Sequence, residues 1–110
     1  MNIPDLDAKA LQRLMKVGGK KQLDAEIQLI KDDGSMRLKE WAAAGDLREA
    51  QSAARAIKAS AAKLGLAALE DLCDQVLEAQ AWPLDPSLPE SAKGALQRGL
   101  RALEKERPLL

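Results

Sequence analysis

The chain has 110 residues, enough for one domain with a single modest core, and its 46% hydrophobic and 31% charged residues suit a folded chain rather than a disordered one. Its 17 Lys and Arg are matched by 17 Asp and Glu, so the basic excess expected of a nucleic-acid-binding surface is missing. The single cysteine, Cys73, excludes an intramolecular disulfide; with no leader pattern over Met1–Gln12 and no apolar run near the ~18 residues of a membrane span, a cytoplasmic chain is expected, with no membrane or nucleic-acid partner.

Leu and Ala dominate, while Phe, Tyr and Thr are absent. Helix formers far outnumber strand formers, and the expected fold is all-α. Asp5 can cap a first, short helix that runs to about Val17 and stops at Gly18-Gly19, with Leu6, Ala10, Leu14 and Val17 inward and Leu11 beside them. From Lys20 to Ala44, Leu23, Ile27, Ile30, Leu38 and Trp41 keep helical spacing across Asp32-Asp33-Gly34-Ser35. This predicts one long, bent helix with Gly34 facing inward; the alternative is a break at Gly34.

Gly45 reads as the residue that closes this helix, and Asp46 and Glu49 have capping-box spacing, so the next helix spans Leu47 to about Leu64. Gly65 ends it or bends the chain. Leu66 to about Ala79 forms a further helix with Leu66, Leu69, Cys73 and Val76 to one side and Leu72 and Leu77 at the margins. "WPLDPSLPE" is a connection, because its three prolines exclude a regular element. Ser87 and Glu90 again have capping-box spacing, with Pro89 in the first turn of a last helix that continues through Ala92, Leu96, Leu100 and Leu103 to about Arg107. Gly94 and Gly99 weaken that helix, so its docking must come from packing. Four long helices with mostly short connections predict an antiparallel bundle, the short N-terminal helix lying across one end.

At 100° per residue, Leu47, Ala50, Ala54, Ile57, Ala61 and Leu64 form one inward stripe of the 47–64 helix. Opposite lie Arg48, Ser52, Arg55, Ala59, Ala62 and Lys63, with Ala56 nearby and Lys58 and Ser60 at the borders. Four basic and two acidic residues between Asp46 and Gly65 make this stretch locally positive in a neutral chain. The outer face is a shallow alanine floor around Arg55. A plain solvated helix, built from good helix formers and scattered charge, has the same pattern.

The order of residues in "RAIKASAAKLG", 55–65, resembles the signature of histidine-phosphotransfer (HPt) domains, approximately H-x-L-K-G-S-[SA]-x-x-[LIV]-G. Ile57, Lys58, Ser60, Ala61, Leu64 and Gly65 fit their places. "AAAGDLREAQSAA" before it and "LGLAALEDLCDQVLEA" after it are similar to the flanking segments of that family, so the resemblance covers roughly residues 5–80. It implies an elongated four-helix bundle whose mid-helix surface docks on a response-regulator receiver domain. Arg55, however, occupies the place of the phosphorylatable histidine, Ala59 that of a glycine, and Lys63 one often held by asparagine. The chain has no histidine at all, and a guanidinium stays protonated and cannot accept a phosphoryl group as imidazole does. The resemblance therefore implies a non-catalytic, monomeric module without cofactor or metal, whose partner is a receiver domain. It implies partner contacts from Arg55, Lys58, Ala56, Ala59, Ala62, Arg48, Ser52 and Lys63, with Arg55 and Lys58 facing the receiver's carboxylates.

Two other classes compete. An enzyme would need a nucleophile or base. Cys73 lies on an apolar face, where a thiol is inert, Ser60 has no histidine to activate it, and Asp32-Asp33 lacks the further oxygens of a calcium loop. A helical adaptor or homodimer would use another face. Trp41 is in phase with the core and expected to be buried, whereas Trp82, before Pro83, can either cap the bundle end or mark a partner site.

Overall fold

A computed structural model describes residues 3–110, so the start of the segment read for a leader, Met1 and Asn2, lies outside the described residues. Every regular element among the described residues is helical. They are α1 (Ala8–Leu29), a π-helical turn (Ile30–Gly34), α2 (Ser35–Ala42), α3 (Leu47–Leu64), α4 (Ala67–Glu78), α5 (Leu88–Glu106) and a 3₁₀ turn (Arg107–Leu109). The molecule measures 42 × 29 × 20 Å. α3 packs on α1, α2 and α4, and α5 packs on α4 and α2. Among the described residues no helix is long and apolar enough to cross a membrane.

α1 is two helical stretches, 8–18 and 20–29, joined at Gly19, whose backbone (φ 67°, ψ −167°) is not helical. The expected short first helix is therefore present, with two corrections. Its cap is Asp7, which accepts a hydrogen bond from the Lys9 amide at 3.0 Å; Asp5 instead pairs with Arg98 of α5 at 3.3 Å. Val17 does not face inward but is 88% exposed; it lies past Leu14 and Met15, the last residues of this stretch that pack against the core.

The second segment remains helical from 20 to 42, and Gly34 does not break it. The chain instead widens into a single π turn, in which the Ser35 hydroxyl donates to the Lys31 carbonyl at 2.7 Å. Gly34 is buried; a Cβ there would crowd Ile30 Cγ1 at 3.2 Å, one turn earlier, and would make only an ordinary contact with Leu96 Cδ2 of α5 at 3.7 Å. Trp41 is buried as expected. Gly45 is not the residue that closes this helix, which is capped at Ala43; among the described residues positive φ is found at Gly19 and Gly65.

α3 begins as its spacing predicts. Asp46 accepts from the Glu49 amide at 2.8 Å, and Glu49 reaches back to the Gly45 amide at 2.8 Å, one residue earlier than in the usual reciprocal box. Gly65 closes the helix in the left-handed conformation (φ 72°, ψ 27°). Leu66, Leu69, Cys73 and Val76 are buried, as α4's stripe requires. The carbonyls ending α4 are met by Gln51 of α3, whose amide nitrogen lies 3.2–3.4 Å from those of Val76, Leu77 and Ala79. The Ser87–Glu90 capping box does not form. The Ser87 hydroxyl turns away from α5 and donates to Asp85 at 2.8 Å, while Asp85 also accepts from the Ser87 amide at 2.9 Å. This is the local turn by which a short acidic side chain competes with a helix cap.

α5 is docked by packing, with Ala92, Ala95, Leu96, Gly99 and Leu103 buried. Gly99 is where α5 crosses Leu66: a Cβ would stand 2.6 Å from Leu66 Cδ2. A paired hydrogen bond from Arg107 to Asp24, 2.7 Å on each arm, ties the chain's end to the second half of α1.

Candidate functional site

The two faces of α3 fall where the 100° spacing puts them, except at Leu47, expected inward but only half-buried at the start of the helix. Ala50, Ala53, Ala54, Ile57, Ala61 and Leu64 are buried, adding Ala53 to the expected stripe. Arg48, Ser52, Arg55, Ala59, Ala62 and Lys63 are exposed, and Ala56, Lys58 and Ser60 are half-buried. The helix thus presents a low floor made by the methyl groups of Ala59 and Ala62, bordered by Ala56 and flanked by charge. With no side chain longer than a methyl on that floor, a partner surface can approach the helix backbone closely.

The four basic residues divide into two pairs. Lys58 pairs with Asp74 of α4, and that carboxylate holds the Lys58 ammonium protonated, raising its pKa. Lys63 reaches Glu26 of α1 at 3.5 Å. Arg48 and Arg55 make no ion pair among the described residues. The expectation that Arg55 and Lys58 act together on a carboxylate partner is therefore narrowed: Lys58 already has a carboxylate, and Arg55 has its whole fork of donors free.

Glu26 was not singled out by the sequence pattern. It is buried at the α1–α3 contact, where one oxygen accepts from Gln22 at 2.9 Å and faces Lys63, while the other has no partner. The only hint in the sequence is that residue 26 is one turn from both Leu23 and Ile30, on the inward side of its helix. The structure makes Lys63 a residue that compensates a buried carboxylate as well as a surface charge.

The acidic pair and the cysteine are occupied or shielded. Asp32 accepts from Gln28 at 3.0 Å, and Asp33 lies 3.6 Å from Arg37. Among the described residues no group of three or more metal-binding side chains is placed to hold a metal ion. Cys73 is fully buried, and burial pushes its thiol from an ordinary value near 9 up to about 12. The thiol therefore stays protonated in the folded chain, where the unfolded chain's thiol ionises from about pH 9. The unfolded state then binds fewer protons, so stability must fall as pH rises between those two values. Urea unfolding should show this alkaline loss in the wild type and a smaller one in Cys73→Ala. A thiol reagent at pH 8 should modify Cys73 only at the rate of unfolding. Fast modification of the native chain would contradict the burial.

Comparison of the chain with protein-family models, with curated proteins and with solved structures finds no match.

Proposed function

We propose that this chain is a non-catalytic, HPt-like docking module of phosphorelay signalling, which binds a response-regulator receiver domain without accepting phosphate. In this reading the long helices run antiparallel as an elongated bundle, and the protein is a cytoplasmic monomer. The observation that carries it is Arg55: an exposed guanidinium, without an ion pair among the described residues, beside the alanine floor of α3. Receiver domains gather carboxylates around their phosphoacceptor aspartate, and a planar guanidinium fork suits a carboxylate or phosphoryl group. Ala56, Ala59 and Ala62 supply the apolar contact, Arg48 and Ser52 extend it along the helix, and Lys58 and Lys63 border it. The packing of α3 against α2 and α4, and of α5 against both of these, is consistent with a bundle that leaves one side of α3 open.

The test is a titration of the labelled chain with receiver domains of the same genome, followed by amide shifts. Shifts should concentrate in residues 48–63. Arg55→Glu should weaken binding at least about tenfold, the ~1.4 kcal/mol or more that a central interface arginine carries. Failure of every receiver to perturb 48–63 ends the proposal, as does wild-type affinity in Arg55→Glu. Stable phosphorylation of the wild type by a phospho-receiver would end its non-catalytic part.

A further inference from the structure

A second concave surface lies away from α3. Between α2, the proline-rich connection and α5 runs an open groove of about 780 Å³, to which no α3 residue contributes. That volume is in the range of small-molecule sites, roughly 300–1,000 Å³. Its walls are apolar: Leu38 and Trp41 from α2, Trp82 and Pro83 from the connection, Leu96 and Leu100 from α5. Trp82 is 41% exposed, an unusual placement for the largest side chain in a protein that buries its other tryptophan.

Charge at the rim is asymmetric in its commitments. Lys31, Lys39 and Lys93 line the groove, and none of them makes an ion pair among the described residues. The two acidic lining residues are Asp85, which accepts from the Ser87 amide and hydroxyl, and Glu90, which makes no ion pair among the described residues, so the rim keeps a positive balance of three lysines over two carboxylates. An apolar trough with unpaired ammonium groups on both helical banks complements a molecule with an apolar body and one negative head.

We propose that this groove binds a small amphipathic monocarboxylate, a medium-chain fatty acid or an anion of that shape, with its chain along Trp41, Trp82 and Leu96 and its carboxylate at the rim lysines. The site is separate from the receiver-docking face, so either can fail without the other.

The chain reports on this site by its own composition. It has two tryptophans and no tyrosine or phenylalanine, and both tryptophans line the groove. The probe is sodium dodecanoate, kept below its micellar range and read by tryptophan emission and by calorimetry. The expected result is a saturable emission change at one equivalent per chain. Dodecanol should bind at least tenfold more weakly, and Lys39→Glu/Lys93→Glu should lose at least tenfold in affinity while keeping the wild-type helical circular dichroism. Both lysines are exposed, so the double variant should fold. An absent or unsaturable response to dodecanoate overturns the proposal. So does equal affinity for dodecanol, or wild-type affinity in the double variant. A response to phosphatidylglycerol vesicles without one to monomeric dodecanoate also overturns it, in favour of a lipid-surface contact.

Discussion

Gly65→Ala should be among the most destabilising single-methyl changes in this protein, at about 2–5 kcal/mol. Two costs fall on the same atom. The residue sits at φ 72°, ψ 27°, where a side chain costs about 1–2 kcal/mol. A Cβ there would also lie 2.5 Å from the Asp7 carbonyl oxygen and 3.0 Å from Ala10 Cβ, and overpacking of this kind costs about 1–3 kcal/mol. The neighbour cannot easily retreat, because the obstruction is backbone and is bound in place: the Asp7 amide donates to the Gly65 carbonyl at 2.6 Å, and the Ala67 amide donates to that same oxygen at 2.9 Å. Gly19→Ala separates the two costs. Gly19 also has positive φ, but nothing lies within 4 Å of its would-be Cβ, so it should show only the backbone cost, about 1–3 kcal/mol. Urea unfolding of both variants checks this. A loss at Gly65 no larger than about 2 kcal/mol, the backbone cost alone, would mean that its contact with the α1 start adds nothing.

The second large effect is expected at Trp41. Trp41→Ala should cost about 3–5 kcal/mol, the usual range for removing a large aromatic from a core, because only 3% of the residue is exposed. Trp82→Ala, the same chemical change on the other wall of the groove, should cost about 1 kcal/mol or less, since much of that residue is already in water. The comparison is measured at equilibrium with denaturant, and it also assigns the emission of each tryptophan. A loss above about 3 kcal/mol at Trp82 would show that the connection is part of the core rather than a wall standing over it.

Which parts of this architecture were legible beforehand follows from the range of the interactions involved. α3 was readable almost to the residue, because each of its determinants is local: Asp46 and Glu49 cap within one turn, Gly65 ends the helix through its own backbone freedom, and the inward stripe repeats at helical spacing. The exposed face with Arg55 follows from the same periodicity. Its electrostatics do not, since Asp74 is sixteen residues from Lys58 and Glu26 is thirty-seven from Lys63. Only the packing of α4 and α1 against α3 brings those carboxylates near, and so leaves Arg55, like Arg48, without an ion pair among the described residues.

The misread caps have the same cause. Asp5 and Asp7 are equally suited to cap a helix, as residue types; Arg98, on α5, draws Asp5 away. Ser87 had the right spacing to Glu90, but Asp85 offered it a nearer acceptor. The role of Gly99 was legible only as a weakness of its helix, and becomes a close approach once Leu66 is seen beneath it.

Composition and spacing were enough for the helical class, the order of the helices and the two faces of α3, because turns, caps and amphipathic stripes act over a few residues. The partners of Lys58 and Lys63, the tolerance at Gly65, the differing burial of Trp41 and Trp82 and the groove between α2 and α5 depend on side chains far apart in sequence. Their energies arise from contact and desolvation, which exist only after the helices have packed.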